Sequence, residues 1–258
     1  MPIHPTAIID PKSAIATDAE IGPYCVIGAD VRIGARTKLM SHVVMEGKLT
    51  IGSDNIFFPF CSCGVAPQDK KYQGEASETI IGNGNNIREF VTIHRGTEGG
   101  GMKTVIGDYN LLMAYVHVAH DVIIHNHTIL ANGVTFAGHV TVEDYANVGG
   151  LSAIHQFCRI GKHSIVGSRS VIKQNVLPFS QTASDHESKV YGANRVGLQR
   201  GGFTPEAIEP LQNAFRLLSH AGLNTSQALS RIEEEIPPTA EVKELLDFIR
   251  SSERGFVK

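Results

Sequence analysis

The sequence has no run of 18 apolar residues, so a transmembrane helix is excluded. It has no excess of basic residues. Lys and Arg total 23 against 26 Asp and Glu, for a net charge of -3, which gives no electrostatic reason to expect nucleic acid as a partner. Tryptophan is absent and aromatics are 7%, whereas glycine is frequent at 26. The four cysteines (Cys25, Cys61, Cys63, Cys158) form no CxxC. The opening Met1-Pro2-Ile3-His4-Pro5 carries no basic stretch ahead of an apolar one, so no secretory signal is expected. The expected setting is a reduced cytoplasm, with the cysteines as small core residues. A chain of 258 residues suffices for one large domain or two small ones.

What is present is a repeat of six. Apolar residues recur at Ile3, Ile9, Ile15, Ile21, Ile27, Ile33, Leu39, Met45, Ile51, Phe57 and Cys63. The series resumes at Ile81, Ile87 and Ile93, and again from Ile106 to Ile172, before Pro178 ends it. Twenty-six apolar residues in turn, across two resets of phase, have a chance probability of about 10⁻¹⁰ at 42% apolar composition. Glycine often follows the apolar residue, as at Gly22, Gly28 and Gly34, and a small or β-branched residue stands four after it. Six residues fit a short strand and a tight turn, with glycine relaxing the corner. Three units close one coil, and stacked coils pair in parallel as a β-helix solenoid about nine coils and roughly 42 Å tall. A spacing of six does not fit an amphipathic helix. Asn55, Asn85 and Asn110 fall in one inward stack, an expected asparagine ladder.

The expected organisation is a repeat domain over 1–185, interrupted by insertions at 64–80 and 95–105, then a small helical domain over 186–258. Thr204-Pro205-Glu206 reads as a helix start and Gly222 as its stop. A second helix is expected at 225–236, and a third from the Thr239 cap to about Ser252. So few residues are insecure alone and should pack on the prism or on a neighbouring subunit.

The twelve histidines are not scattered. His94, His120, His139 and His155 fall on one face of successive coils, His117 closes the hexad before Val118, and both insertions leave from that face. A row of imidazoles beside two extruded loops suits an active-site groove, although turn positions also tolerate histidine at a solvated surface. A metal site is disfavoured. His117 and His120 are an odd number apart and should point oppositely in an extended segment, and no cysteine or acidic cluster completes a ligand set. General-base chemistry fits better, with Asp121 available to orient His120 and Gly138 to offer a backbone N–H to an oxyanion.

Together with the hexads, four strings resemble one family: Val91-Thr92-Ile93-His94-Arg95-Gly96-Thr97, Val118-Ala119-His120-Asp121, Ala137-Gly138-His139-Val140 and Ile154-His155-Gln156-Phe157-Cys158. The family is the UDP-N-acetylglucosamine O-acyltransferases of lipid A biosynthesis. The resemblance spans the whole chain, through Gly202-Phe203-Thr204-Pro205-Glu206-Ala207-Ile208 of the tail. It implies a mainly β, left-handed parallel β-helix of hexapeptide repeats with a small C-terminal α-helical domain. It implies a cytoplasmic homotrimer, of Gram-negative type, with active sites between subunits and no stable membrane insertion. The implied reaction moves a 3-hydroxyacyl chain from acyl carrier protein to the 3-hydroxyl of UDP-N-acetylglucosamine.

On that resemblance His120 is the general base, Asp121 its orienting partner and Gly138 the oxyanion donor. Asp69 and Lys71 hold the sugar nucleotide, while His94, His117, His139, His155 and Gln156 line the cleft. Asn194 and Arg200 contribute from the tail. Ser168 matches the residue that limits acyl-chain reach. It is reckoned close to three coils, or about 14 Å, beyond His120, and its small side chain should admit about 12 carbons or more. Two departures stand out. Gly201 follows Arg200 where the family has consecutive basic residues, and Val196 replaces an acidic one.

A thioester is already activated, so no metal or cofactor is expected beyond the phosphopantetheine that carries the substrate. No cysteine or serine is paired with a base, so no covalent intermediate is expected either. Competing readings are a coenzyme A-dependent hexapeptide acetyltransferase, a zinc-dependent gamma-type carbonic anhydrase and a non-catalytic solenoid. A hexapeptide N-acyltransferase would add an N-terminal uridine-binding domain, against which hexads from Ile3 argue.

Overall fold

The computed structural model describes residues 3–184, 188–219 and 222–258. Each coil lays one short strand on each of three parallel sheets, giving a left-handed, three-sided prism. Among the described residues the first sheet has nine strands, from Ile8–Ile9 to Val171–Ile172, and the second has eight, from Ala14–Ile15 to Arg159–Ile160. The third runs from Glu20–Ile21 to Ile165–Val166 and then takes up Ser180–Ser184 and Ser188–Ala193.

The hexad explains this shape residue by residue. The two strand residues alternate outward and inward, so Val26 is exposed while Ile27 is 2% exposed. The turn bends through a left-handed residue, as at Tyr145 (φ 58°) and His127 (φ 56°). Non-glycine residues pay a steric cost there. Stacking offsets it in part, because His127 lies flat between Tyr109 and Tyr145, with ring centroids 5.2 and 4.8 Å away.

Coils stack in fixed register. His117 pairs with Thr135, and Thr135 with Ala153. The asparagine ladder is present. Asn85 donates its N–H and side-chain amide to Asn55 Oδ1 at 2.9 Å, and Asn110 N–H donates to Asn85 Oδ1 at 2.9 Å. Thr128 continues it through Asn110 Oδ1 at 2.8 Å. The ladder runs unbroken past both insertions, so the extra residues are expelled without disturbing the inner lattice. All four cysteines are free and buried, and burial pushes the Cys61 thiol up to about 12 and the Cys158 thiol to about 11.

The insertions are shorter than expected. Residues 64–65 end strand Ser62–Val65, 78–80 open strand Glu78–Ile81 and 103–105 open Lys103–Ile106, which leaves loops over 66–77 and 95–102. The expected domain boundary at 185–186 lies outside the described residues. Helices follow at α1 (Arg195–Arg200), α2 (Pro205–Ser219), α3 (Thr225–Glu235) and α4 (Ala240–Arg250). Asn224 caps α3 with a capping box and Thr239 caps α4. Gly222, read as the stop of α2, has φ 65°, but residues 220–221 before it lie outside the described set. The helices rest on the prism. Lys162 pairs with Glu244 at 2.5 Å, and the Arg159 guanidinium lies 4.2 Å from the Phe248 ring centre. Asn175 pairs with Phe256 close to the C-terminus.

Candidate active site

The corner where the first sheet turns into the second carries both insertions. Below them three successive turns present Ala119-His120-Asp121, Ala137-Gly138-His139 and His155-Gln156-Phe157. Ala119, His120, Ala137, Gly138, His155 and Gln156 of these turns border a cavity of about 530 Å³ that also takes in His94, His117, Gln68 and Lys173, whereas His139, expected to line the cleft, stands behind His120 outside the lining. Its apolar floor is formed by the outward residues of the first sheet, Thr135, Ala153 and Val171.

His120 Nδ1 lies 2.8 Å from Asp121 Oδ2. A carboxylate oxygen accepts hydrogen bonds, so Nδ1 is the donor in this contact and Nε2 is the ring nitrogen that Asp121 leaves unengaged. The Asp121 side chain is wholly buried. It also accepts from Thr97 N–H at 2.9 Å and from the Thr97 hydroxyl at 2.5 Å, while its own N–H donates to Thr104 Oγ1 at 2.8 Å. His117 is fixed in a similar way, with Nδ1 2.7 Å from Thr92 Oγ1.

Gly138 packs under His120. A Cβ there would lie 2.5 Å from His120 Cε1 and 2.8 Å from Nε2, so glycine is required by close approach. Among the described residues nothing accepts a hydrogen bond from its N–H. Pro23 and Pro59 stand at the same turn slot, so the fold demands no donor there.

Burial dominates the electrostatics. It pushes His94 down to about 4, helped by repulsion from His117 and His120. Burial also lowers His117, again with repulsion from His120, and it lowers His139. Three imidazoles beside His120 are thereby kept neutral. His94 Nδ1 is buried without a partner among the described residues.

The expectation that His117 and His120 point oppositely fails. Strand His117–Val118 ends after two residues, the chain turns, and both rings reach the same cavity. An acidic residue also joins the group, because His120, Asp121 and His139 bring ligand atoms within 4.8 Å of one another. They do not fit a metal ion well, since the Asp121 carboxylate is already taken up by Thr97 and His120. His139 meets His120 edge-on, with centroids 5.2 Å apart, and stacks on Phe157.

Other sequence candidates lie further off. Asp69 and Lys71 sit in the first loop, where Asp69 Oδ1 accepts from Lys71 N–H, and the neighbouring Gln68 reaches the cavity instead. Arg95 joins the two loops through the Tyr72 hydroxyl at 2.9 Å. Asn194 and Arg200 are not near His120 in the single chain. Asn194 caps α1 and donates to His163 O at 2.9 Å. Both line a separate groove of about 610 Å³ with Tyr145, His163, Val196 and Gly201. Ser168 requires a correction. It occupies the turn between the third and first sheets, at the opposite edge of the face from His120, so the axial reckoning of its distance omitted the width of the face. Thr97, Thr104, Thr92, Gln68 and Lys173 were not singled out from sequence.

Fold and repeat together define a hexapeptide-repeat transferase, and residues 103–138 match the bacterial transferase hexapeptide family (six repeats). Residues 175–257 match domain 2 of UDP-N-acetylglucosamine O-acyltransferase. Acyl-[acyl-carrier-protein]–UDP-N-acetylglucosamine O-acyltransferase of Thermodesulfovibrio yellowstonii is 48% identical over 99% of both chains. The structure of LpxA from Acinetobacter baumannii superposes with a TM-score of 0.95 at 45% identity, covering 99% of each chain. The UDP-N-acetylglucosamine acyltransferase of Bacteroides fragilis gives 0.96 at 38% identity, over 99% of this chain and 100% of that one. The chain belongs to the UDP-N-acetylglucosamine O-acyltransferase family.

Proposed function

We propose that this enzyme transfers a 3-hydroxyacyl group from acyl carrier protein to the 3-hydroxyl of UDP-N-acetylglucosamine, opening lipid A biosynthesis. The observation that carries the reading is the His120–Asp121 pair at 2.8 Å, its carboxylate buried, facing a cavity beside a Gly138 N–H that has no acceptor among the described residues. His120 Nε2 takes the proton of the sugar hydroxyl as its oxygen attacks the thioester carbonyl. Gly138 N–H donates to the oxyanion, and Asp121 balances the imidazolium. Collapse expels the thiolate of the carrier arm, which leaves with the proton held by His120. The ester is formed without a covalent enzyme intermediate, a metal or a cofactor.

The working form is a cytoplasmic homotrimer. Asn194 and Arg200 lie on a different surface from His120, and a neighbouring copy would bring its own pair to the cleft. Asp69 and Lys71 hold the sugar nucleotide from above, and His94, His117, His139, His155 and Gln156 shape the pocket. The acyl chain rests on Thr135, Ala153 and Val171, with Ser168 at the far edge of that face limiting its length. The test is mass spectrometry of UDP-N-acetylglucosamine incubated with a 3-hydroxyacyl carrier protein. One added 3-hydroxyacyl group on oxygen is expected, with loss of about 10²–10⁴ in rate for His120→Ala. Absence of the product, or His120→Ala activity within threefold of wild type, rejects the reading.

A further inference from the structure

The second insertion does more than flank the groove: it closes down on Asp121. Thr97 stands at the N-cap of a short 3-10 turn over Glu98–Gly100, where a threonine hydroxyl ordinarily accepts from the backbone. Here it makes no such cap, and donates instead to Asp121 Oδ2 at 2.5 Å. The Thr97 N–H bonds the other carboxylate oxygen at 2.9 Å. Gly100 covers the same group so closely that a Cβ would fall 1.9 Å from Asp121 Cγ. Thr97 O accepts from Gly100 N–H at 3.1 Å and from Met102 N–H at 3.0 Å, which ties the turn into one clasp.

A buried carboxylate without partners is costly, and with a free rotamer it would aim at nothing in particular. The clasp supplies two donors to Asp121, excludes water from it and leaves only the lone pairs facing His120 Nδ1. We infer that Thr97 is a positioning residue for the acyl transfer, acting through Asp121 to hold His120 with Nε2 unprotonated and directed at the hydroxyl. This inference rests on His120 being the general base, as proposed above. Thr97 itself does not line the cavity, and its hydroxyl is taken up by Asp121.

The experiment compares Thr97→Val, Thr97→Ser, Gly100→Ala and His120→Ala in the intact enzyme with both substrates. Valine keeps the shape and the backbone N–H and deletes only the hydroxyl. Thr97→Val is expected to lower kcat about 10- to 100-fold with KM for both substrates within twofold, and Thr97→Ser to restore kcat to within about threefold. Gly100→Ala displaces the carboxylate from the loop side and should give the same split, which keeps the test open if Thr97→Val does not fold. Wild-type kcat in Thr97→Val or in Gly100→Ala, no rescue by serine, or a change confined to KM overturns the inference. If His120→Ala also stays active, the general-base reading has failed; if His120→Ala is inactive, the clasp alone has failed.

Discussion

His120 and Gly138 approach so closely that a single added methyl on residue 138 would press on the imidazole at 2.5 Å. The backbone of Gly138 is not in the left-handed region, so alanine is permitted there by conformation and forbidden only by the ring. Gly138→Ala is therefore expected to fold with a melting temperature near that of wild type and to lose about 10²-fold in kcat, since a displacement of about 1 Å at the base suffices for that. Steady-state kinetics beside a thermal melt checks it, and a fully active variant would show that the ring has room to move.

Acid should weaken the fold through His94. Its pKa falls from the ordinary 6.5 to about 4 in the folded chain, so the native state prefers the neutral ring. Below about pH 6.5 the unfolded chain takes up that proton first. The contribution is full above pH 6.5, is lost as the pH falls toward 4, and changes no further below that. Between pH 7 and 4.5 wild type should lose about 2 kcal/mol more than His94→Gln at equal protein concentration. Denaturant midpoints at the two pH values measure the difference, and parallel losses in both proteins would contradict the assignment.

Chelation should leave activity intact. The Asp121 oxygens are committed to Thr97 and His120, so the His120, Asp121, His139 group offers no free carboxylate to a cation. Activity after prolonged EDTA treatment and desalting is expected to equal the untreated value. Loss on chelation followed by recovery with zinc would reinstate metal chemistry.

Sedimentation should give about three times the chain mass of 27.9 kDa. The cleft around His120 and the groove around Asn194 lie on separate surfaces of one chain, so the shared site proposed above requires copies placed around an axis. A fully active monomer would refute the shared cleft.

Ser168→Met is expected to shift donor preference toward shorter chains, while wild type prefers about 12 carbons or more. The residue sits across the width of the first sheet from His120, so a chain reaching it from His120 would have to cross Ala153 and Val171. A panel of 3-hydroxyacyl carrier proteins of graded length reads this out. An unchanged preference in Ser168→Met would remove Ser168 from the chain-length role.

The prism was legible because each apolar hexad residue points inward, so one periodic series carries the core from Ile21 to Ile172. What the period could not carry was harder to read. The antiparallel pair Ser180–Ser184 with Ser188–Ala193 follows no hexad, and α1 is only six residues long with a glycine inside. The histidine corner could be counted because coil phase survives the insertions. The hold of Thr97 on Asp121 could not, because it spans 24 residues from a loop off the lattice. Parity misled at His117 because the two-residue strand ends before alternation can act. Ser168 was counted along the axis without asking which corner its turn occupies.

The register between coils has a consequence for chain length. Thr128 bonds Asn110 across 18 residues, whereas the rungs above it span 25 and 30 where the loops intervene. Losing one residue from a coil would turn every outward side chain of the next strand inward. Losing eighteen at once removes a whole storey and rejoins equivalent neighbours. In this architecture a large deletion at the right interval is gentler than the smallest one, and height is a quantity that can change in whole steps while the cross-section stays the same.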